Sequence, residues 1–253
     1  MNDERGVMNE TRKALRFVDR FSVILLDMMG TFMFGGDRFA EGEDYASAYR
    51  ALGGWQFDSS QVCAVVGEVF KRMNVDYEDP ARQENFAPVS EYIEEALNEF
   101  GLPRVEAATL DLVFAAHETG HVPETHARVL CRLRETHRLG VVSNLWCPGA
   151  MCLAEFRRAG VAELFETVVF SSDYRVNKPS PLLYRKALER LGVHESEVLF
   201  VGDDLARDIA GAKAVGMSAV WIGGGNIERS VEDFDDAARP DLVIKDLVDL
   251  LEA

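Results

Sequence analysis

Residues 21–27 (FSVILLD) form an apolar, β-branched run that ends in a carboxylate. Such a run reads as a strand buried on both faces of a parallel sheet. A loop punctuated by glycine, GTFMFGGD over 30–37, follows it. The pattern then changes to helical periodicity alone, predicting helices over 43–52, 59–74, 88–100 and 105–117. Turn signals at Gly53-Gly54, Asp79-Pro80 and Gly101-Leu102-Pro103 separate them. After Pro123 strands and helices alternate. The chain reads helix 124–136, strand 139–142, helix 149–159, strand 167–170, helix 180–191, strand 197–201, helix 205–215, strand 218–222, strand 242–244 and a short terminal helix. Alternation with short loops predicts an α/β fold, a doubly wound parallel sheet of Rossmann-like type. The four-helix stretch then reads as an insertion after the first strand.

In such sheets ligands sit beyond the carboxyl ends of the strands. The residues there are Asp27, Met28, Met29, Gly30 and Thr31 after the first strand, and Ser143 and Asn144 after the second. Gly202, Asp203 and Asp204 follow the fourth, with Asp208 one turn on, and Lys178 opens a helix in the loop Asn177-Lys178-Pro179. Clustered carboxylates repel unless a cation neutralises them, and hard oxygen ligands suit Mg²⁺. Asp27 and Asp203 are the expected ligands, with Lys178, Ser143 and nearby N–H groups left to hold an anion such as phosphate. For any single aspartate the competing reading is a helix cap, as for Asp204 before Leu205.

These residues arrive in the order of four motifs, and the chain resembles the haloacid dehalogenase-like (HAD) hydrolase superfamily. DMMGT from Asp27 is similar to its first motif, Ser143-Asn144 to the second, Lys178 in NKPSPLLYRKAL to the third and GDDLARDIAGAKAVGM from Gly202 to the fourth. The resemblance implies a core over 20–36 and 122–253, a helical cap over 37–121 and an N-terminal extension over 1–19. It implies Asp27 as a nucleophile forming an aspartyl-phosphate. Mg²⁺ would be held by Asp27, Asp203 and the Met29 carbonyl, with Asp208 or Asp204 in support. Ser143, Asn144 and Lys178 would bind the phosphoryl group, with Thr31 beside the nucleophile. A carboxylate nucleophile splits one difficult step into two easier ones.

The first motif departs from the phosphatases of that superfamily, which usually carry a second aspartate two residues after the nucleophile as acid and base. Here that position is Met29, a thioether that does neither. The expected function is therefore a Mg²⁺-dependent hydrolase of a small phosphorylated metabolite that lacks the usual second aspartate. Alternatives are a phosphonate or carbon–halogen hydrolase of the same superfamily, or a catalytically weak module that binds a phosphorylated metabolite. A phosphonate hydrolase needs a cap lysine, and Lys71 is the sole lysine between residues 14 and 177. Asp37 and Arg38 leave the site for the cap, where either can reach back to a substrate.

Charge and composition narrow the partners. The chain has 27 basic and 43 acidic side chains, a net charge of −16, which disfavours nucleic acid. No run approaches a membrane span, and the charged first twenty residues do not resemble a secretion signal. With Cys63, Cys131, Cys147 and Cys152 read as reduced thiols, the expected compartment is the cytoplasm. His117-Glu118-Thr119-Gly120-His121 matches the HExxH zinc pattern, yet Gly120 and Pro123 mark a helix end. Gly223-Gly224-Gly225 lacks the dinucleotide spacing, and the acidic run from Glu232 to Asp236 reads as a solvated face.

Overall fold

The computed structural model describes residues 16–224 and 239–253. Residues 1–15, Gly225 and the acidic run from Glu232 to Asp236 lie outside them. Six parallel strands form one sheet: β1 Val23–Leu26, β2 Arg138–Ser143, β3 Phe165–Phe170, β4 Val198–Gly202, β5 Ser218–Ile222 and β6 Leu242–Ile244. Their order is β3-β2-β1-β4-β5-β6. The chain moves outward from β1 through β2 to β3, then returns to the other side of β1. A crevice opens where the order reverses, past the carboxyl ends of β1 and β4.

All four residues of β1 are fully buried, as the two-faced apolar run predicts. Alternation along the strand divides them. Ile24 and Leu26 join Leu139, Val141, Leu199 and Val201 under Val129, Leu130 and Leu133 of α5 (Glu124–Arg134) and Phe156 of α6 (Ala150–Arg158). Val23 and Leu25 join Val142, Val169 and Phe200 under Leu183, Tyr184 and Ala187 of α7 (Pro181–Leu191). Residues 16–19 belong to the sheet unit rather than to an extension. Val18 is buried in the first of these clusters, and Arg16 donates to the Leu251 carbonyl.

Between β1 and α5 lie α1 (Tyr45–Ala51), α2 (Ser59–Glu78), α3 (Val89–Glu99) and α4 (Ala107–Glu118), which share a separate apolar cluster. Cys147, Trp146 and Met151, from the segment after β2, pack into that cluster. The two chain segments that join this helical module to the sheet run side by side. Phe34 and His121 exchange backbone hydrogen bonds at 2.9 and 2.8 Å, and Asp37 N–H donates to the Glu118 carbonyl at 3.1 Å. A Cβ on Gly36 would overlap the Met29 methyl and the Glu118 carbonyl, and one on Gly120 would lie 2.6 Å from the Phe34 carbonyl.

Two helices differ from expectation in ways that matter. α2 starts on a capping box between Asp58 and Gln61 and runs one turn beyond the expected end at 74, to Glu78. That last turn holds Val75, Asp76 and Tyr77, poor helix formers ahead of Asp79-Pro80. Tertiary bonds hold it instead: Tyr92 to Asp76, Asn144 to Tyr77 and Arg207 to Glu78. The helix expected over 205–215 opens as a π-helical turn, Leu205–Ile209, before α8 (Ala210–Ala214), with Ile209 N–H bonded to the Asp204 carbonyl. Such turns concentrate at functional sites. No helix among the described residues is long and apolar enough to cross a membrane.

Candidate active site

Asp27 leaves β1 with its N–H bonded to the Val201 carbonyl of β4 at 2.9 Å, so the neighbouring strand fixes its backbone. The residue is 6% exposed. Asp27 Oδ1 accepts from Ser143 Oγ at 2.8 Å and from Lys178 Nζ at 2.5 Å. Lys178 Nζ also donates to Asp208 Oδ1 at 2.5 Å and to the Val142 carbonyl at 3.1 Å. Burial alone would lower the lysine, but the Asp208 and Asp27 charges hold it well above its ordinary value. It is a fixed cation.

Asp27, Asp203 and Asp208 offer carboxylate oxygens within 4.8 Å of one another. Desolvation and the other two charges push Asp203 up to about 8, and desolvation pushes Asp208 up to about 7 against the pull of Lys178. Three acids with one lysine leave excess negative charge, which a hard divalent cation relieves. The residues fit Mg²⁺ in a second respect: the Met29 carbonyl accepts no backbone hydrogen bond among the described residues. Gly30, at φ +73°, is required here, since a Cβ would collide with the Asp203 carboxylate. The Trp221 indole N–H donates to the Asp203 carbonyl at 2.9 Å and steadies the backbone on the other side.

Around this floor lies a cavity of about 360 Å³. Met29, Ser143, Asn144, Asp204 and Arg207 line it from the sheet unit, Asp37 from the segment that joins sheet and module, and Phe70, Asn74, Tyr77 and Glu78 from α2. The structure thus gathers Asp27, Met29, Asp37, Ser143, Asn144, Lys178, Asp203, Asp204 and Asp208 about one space. Thr31 is placed differently. It is buried and lines a second hollow with Trp221 and Leu247. The Lys71 side chain is 75% exposed beside Glu68 and away from the cavity, and among the described residues Lys178 is the only lysine lining it.

Asp204 takes the capping role, accepting from Ala206 and Arg207 N–H and pairing with the Arg207 guanidinium at 2.9 Å. Burial opposes ionisation there, yet the Arg207 contacts hold it below the usual range. Asp37 has a left-handed backbone, φ 51°, uncommon for a side-chain-bearing residue and a mark of functional positions. Although the residue as a whole is exposed, protein packed around the carboxyl and the Asp27 charge raise it to about 6.

Glu118, Tyr77 and Arg207 were not signalled as site residues by the sequence. Glu118 stands in the HExxH string, but α4 ends there, so His121 is not on the helix. His117 Nδ1 lies 2.8 Å from the Val113 carbonyl, an interaction within its own helix. Glu118 instead accepts from the Trp146 and Cys147 N–H groups at 2.6 and 3.0 Å, tying the end of α4 to the loop after β2. Burial pushes its carboxyl up to about 7.

A family model described as HAD-hydrolase-like matches residues 175–250. A phosphoserine phosphatase of Thermus thermophilus is 35% identical over 117 residues, covering 46% of this chain and 45% of that protein. A glyceraldehyde 3-phosphate phosphatase of Pyrococcus abyssi is 39% identical over 101 residues, covering 38% and 40%. The chain thus spans less than half the length of these curated relatives. In structure, a 2-haloacid dehalogenase of Pseudomonas syringae pv. Tomato superposes with a TM-score of 0.63 at 26% identity, over 92% of this chain and 97% of that one. The family model, the phosphatase relatives and the dehalogenase structure point the same way: the chain belongs to the HAD-like hydrolase superfamily.

Proposed function

We propose that the protein is a Mg²⁺-dependent phosphatase of small phosphorylated metabolites, working through an aspartyl-phosphate on Asp27. The observation that carries this reading is the carboxylate triad around Asp27, held by Ser143 and Lys178 at the floor of one cavity. Asp27, Asp203 and the Met29 carbonyl would hold the metal, with Asp208 in support. When bound, Mg²⁺ offsets the charge between a carboxylate nucleophile and an anionic phosphoryl group. Lys178, Ser143 and Asn144 orient that group, and Asp27 Oδ attacks phosphorus in line with the ester oxygen. The module over 37–121 acts as a cap on a core formed by 16–36 and 122–253.

The proton that Met29 cannot handle is assigned to Asp37. Its carboxyl, near 6, gives a proton to the departing ester oxygen. In the second step water attacks the acyl-phosphate and returns a proton to the Asp37 carboxylate, releasing phosphate and free Asp27. A carbon–halogen hydrolase is the second reading, favoured by Met29 and by the dehalogenase neighbour. The acidic cluster speaks against it, since a halide leaves without a metal. The test is release of phosphate or halide from phosphomonoesters, phosphonates and haloacids with and without Mg²⁺. Phosphate release that needs Mg²⁺ and is lost in Asp27→Asn is expected. Metal-independent halide release would replace this reading.

A further inference from the structure

We propose that Tyr77 donates a hydrogen bond from the helical module to a non-bridging oxygen of the transferring phosphoryl group. This rests on the phosphatase reading and adds a group to it from outside the four motifs. Tyr77 lies in the last turn of α2 and lines the cavity shared with Asp27 and Lys178. Its hydroxyl oxygen accepts from Asn144 Nδ2 at 2.8 Å. Asn144 Oδ1 in turn accepts from the Lys178 N–H at 2.7 Å, and Ser143 beside it bonds Asp27. The phenol therefore stands against the wall that would bind the phosphoryl group.

Its own proton has no acceptor among the described residues, so the O–H remains free to donate into the cavity. Burial raises the phenol to about 12, keeping it protonated across the working range. The ring is clamped as well: the Arg207 guanidinium sits 4.2 Å from its centroid while pairing with Asp204 and with Glu78 one residue on. Charge spread over the equatorial oxygens in the transition state strengthens such a donor. Docking of α2 on the sheet unit thereby completes the anion site. Tyr77 is a catalytic residue supplied by the module.

The test is Tyr77→Phe, which keeps the ring under Arg207 and removes only the hydroxyl. Hydrolysis of an aryl phosphate series with Mg²⁺ is measured beside vanadate affinity, read by quenching of the intrinsic tryptophan fluorescence. A hydrogen bond to a charged oxygen predicts a loss of roughly 10- to 100-fold in both kcat/KM and vanadate affinity, constant across leaving groups. The same loss should persist in an Asn144→Ala background, because direct contact with the phosphoryl group does not pass through Asn144. Unchanged vanadate affinity would overturn the inference. So would a loss that grows with leaving-group pKa, or one that vanishes without Asn144. A wild-type protein that neither releases phosphate nor binds vanadate would instead sink the phosphatase reading, and this inference with it.

Discussion

Met29 packs its methyl group against Gly36, so the thioether that fills the place of the missing acid also abuts the segment that carries Asp37. This arrangement makes Asp37 testable as its replacement. Asp37→Asn should slow turnover of substrates with poor leaving groups by roughly 10²–10⁴ and activated ones far less in the first step. Burst kinetics with rapid quenching separates the two steps. The acid role needs the protonated carboxyl, so the first step should fall as pH rises through about 6, while hydrolysis of the phospho-enzyme should rise. Stability runs in parallel. A carboxyl raised from about 4 to about 6 binds more protons in the folded state, so wild type loses stability relative to Asp37→Asn across that interval. Denaturant titrations at pH 4 and pH 7 read the difference. Residues at strand ends were legible because position and chemistry coincide in the sequence. Asp37 was only half legible, as a loop residue between sheet and module. Tyr77 was invisible, since nothing in its local pattern sets it apart from a core aromatic.

The elements of the site depend on close backbone approach more than on side-chain variety. Gly30 lets the turn after β1 press against the Asp203 carboxylate from the turn after β4. Gly30→Ala should therefore both strain a positive φ and displace Asp203. The expected result is a lower melting temperature, by an amount matching about 1–2 kcal/mol or more, with loss of metal binding by calorimetry. Retained binding with lowered stability would show that Asp203 shifts without cost. Among the described residues, the six strands and the helices α1 to α8 followed from periodicity and turn chemistry, because those signals are local. The last turn of α2 and the π-helical opening before α8 did not. Both are held by long-range partners: Asn144 and Arg207 in one case, Lys178 gripping Asp208 in the other. Helix propensity carries no record of such partners.

Across the whole molecule the acidic centre is a store of repulsion. Asp203 and Asp208, raised to about 8 and about 7, make the metal-free protein lose stability as pH rises from about 4 through 8. Mg²⁺ should flatten that loss. A cation selective for the folded state adds about 2.7 kcal/mol at a hundredfold excess over Kd. Thermal melts at pH 8 should rise with Mg²⁺ in wild type, and Asp203→Asn should melt higher without Mg²⁺ yet gain nothing from it. A variant that still responds to Mg²⁺ would remove Asp203 from the ligand set. Element order was readable at this scale, but the sequence of strands across the sheet was not. β1 pairs with both β2 and β4, contacts between segments far apart in the chain that local periodicity does not record.

The paired hydrogen bonds between Phe34 and His121 give the helical module a single doorway. The chain enters and leaves it at one point in space, so the sheet does not need the intervening residues to close its own circuit. Such an arrangement is modular in the engineer's sense: the segment can be exchanged for another of different length whose ends also meet. Replacing residues 37–118 by a short turn should leave a folded α/β unit, detectable by its circular dichroism and cooperative melt. The unit would be prone to self-association through Trp146 and Met151, which lose their cover. The glycines at 36 and 120 act as the doorway's fitted frame, and larger residues there would jam it.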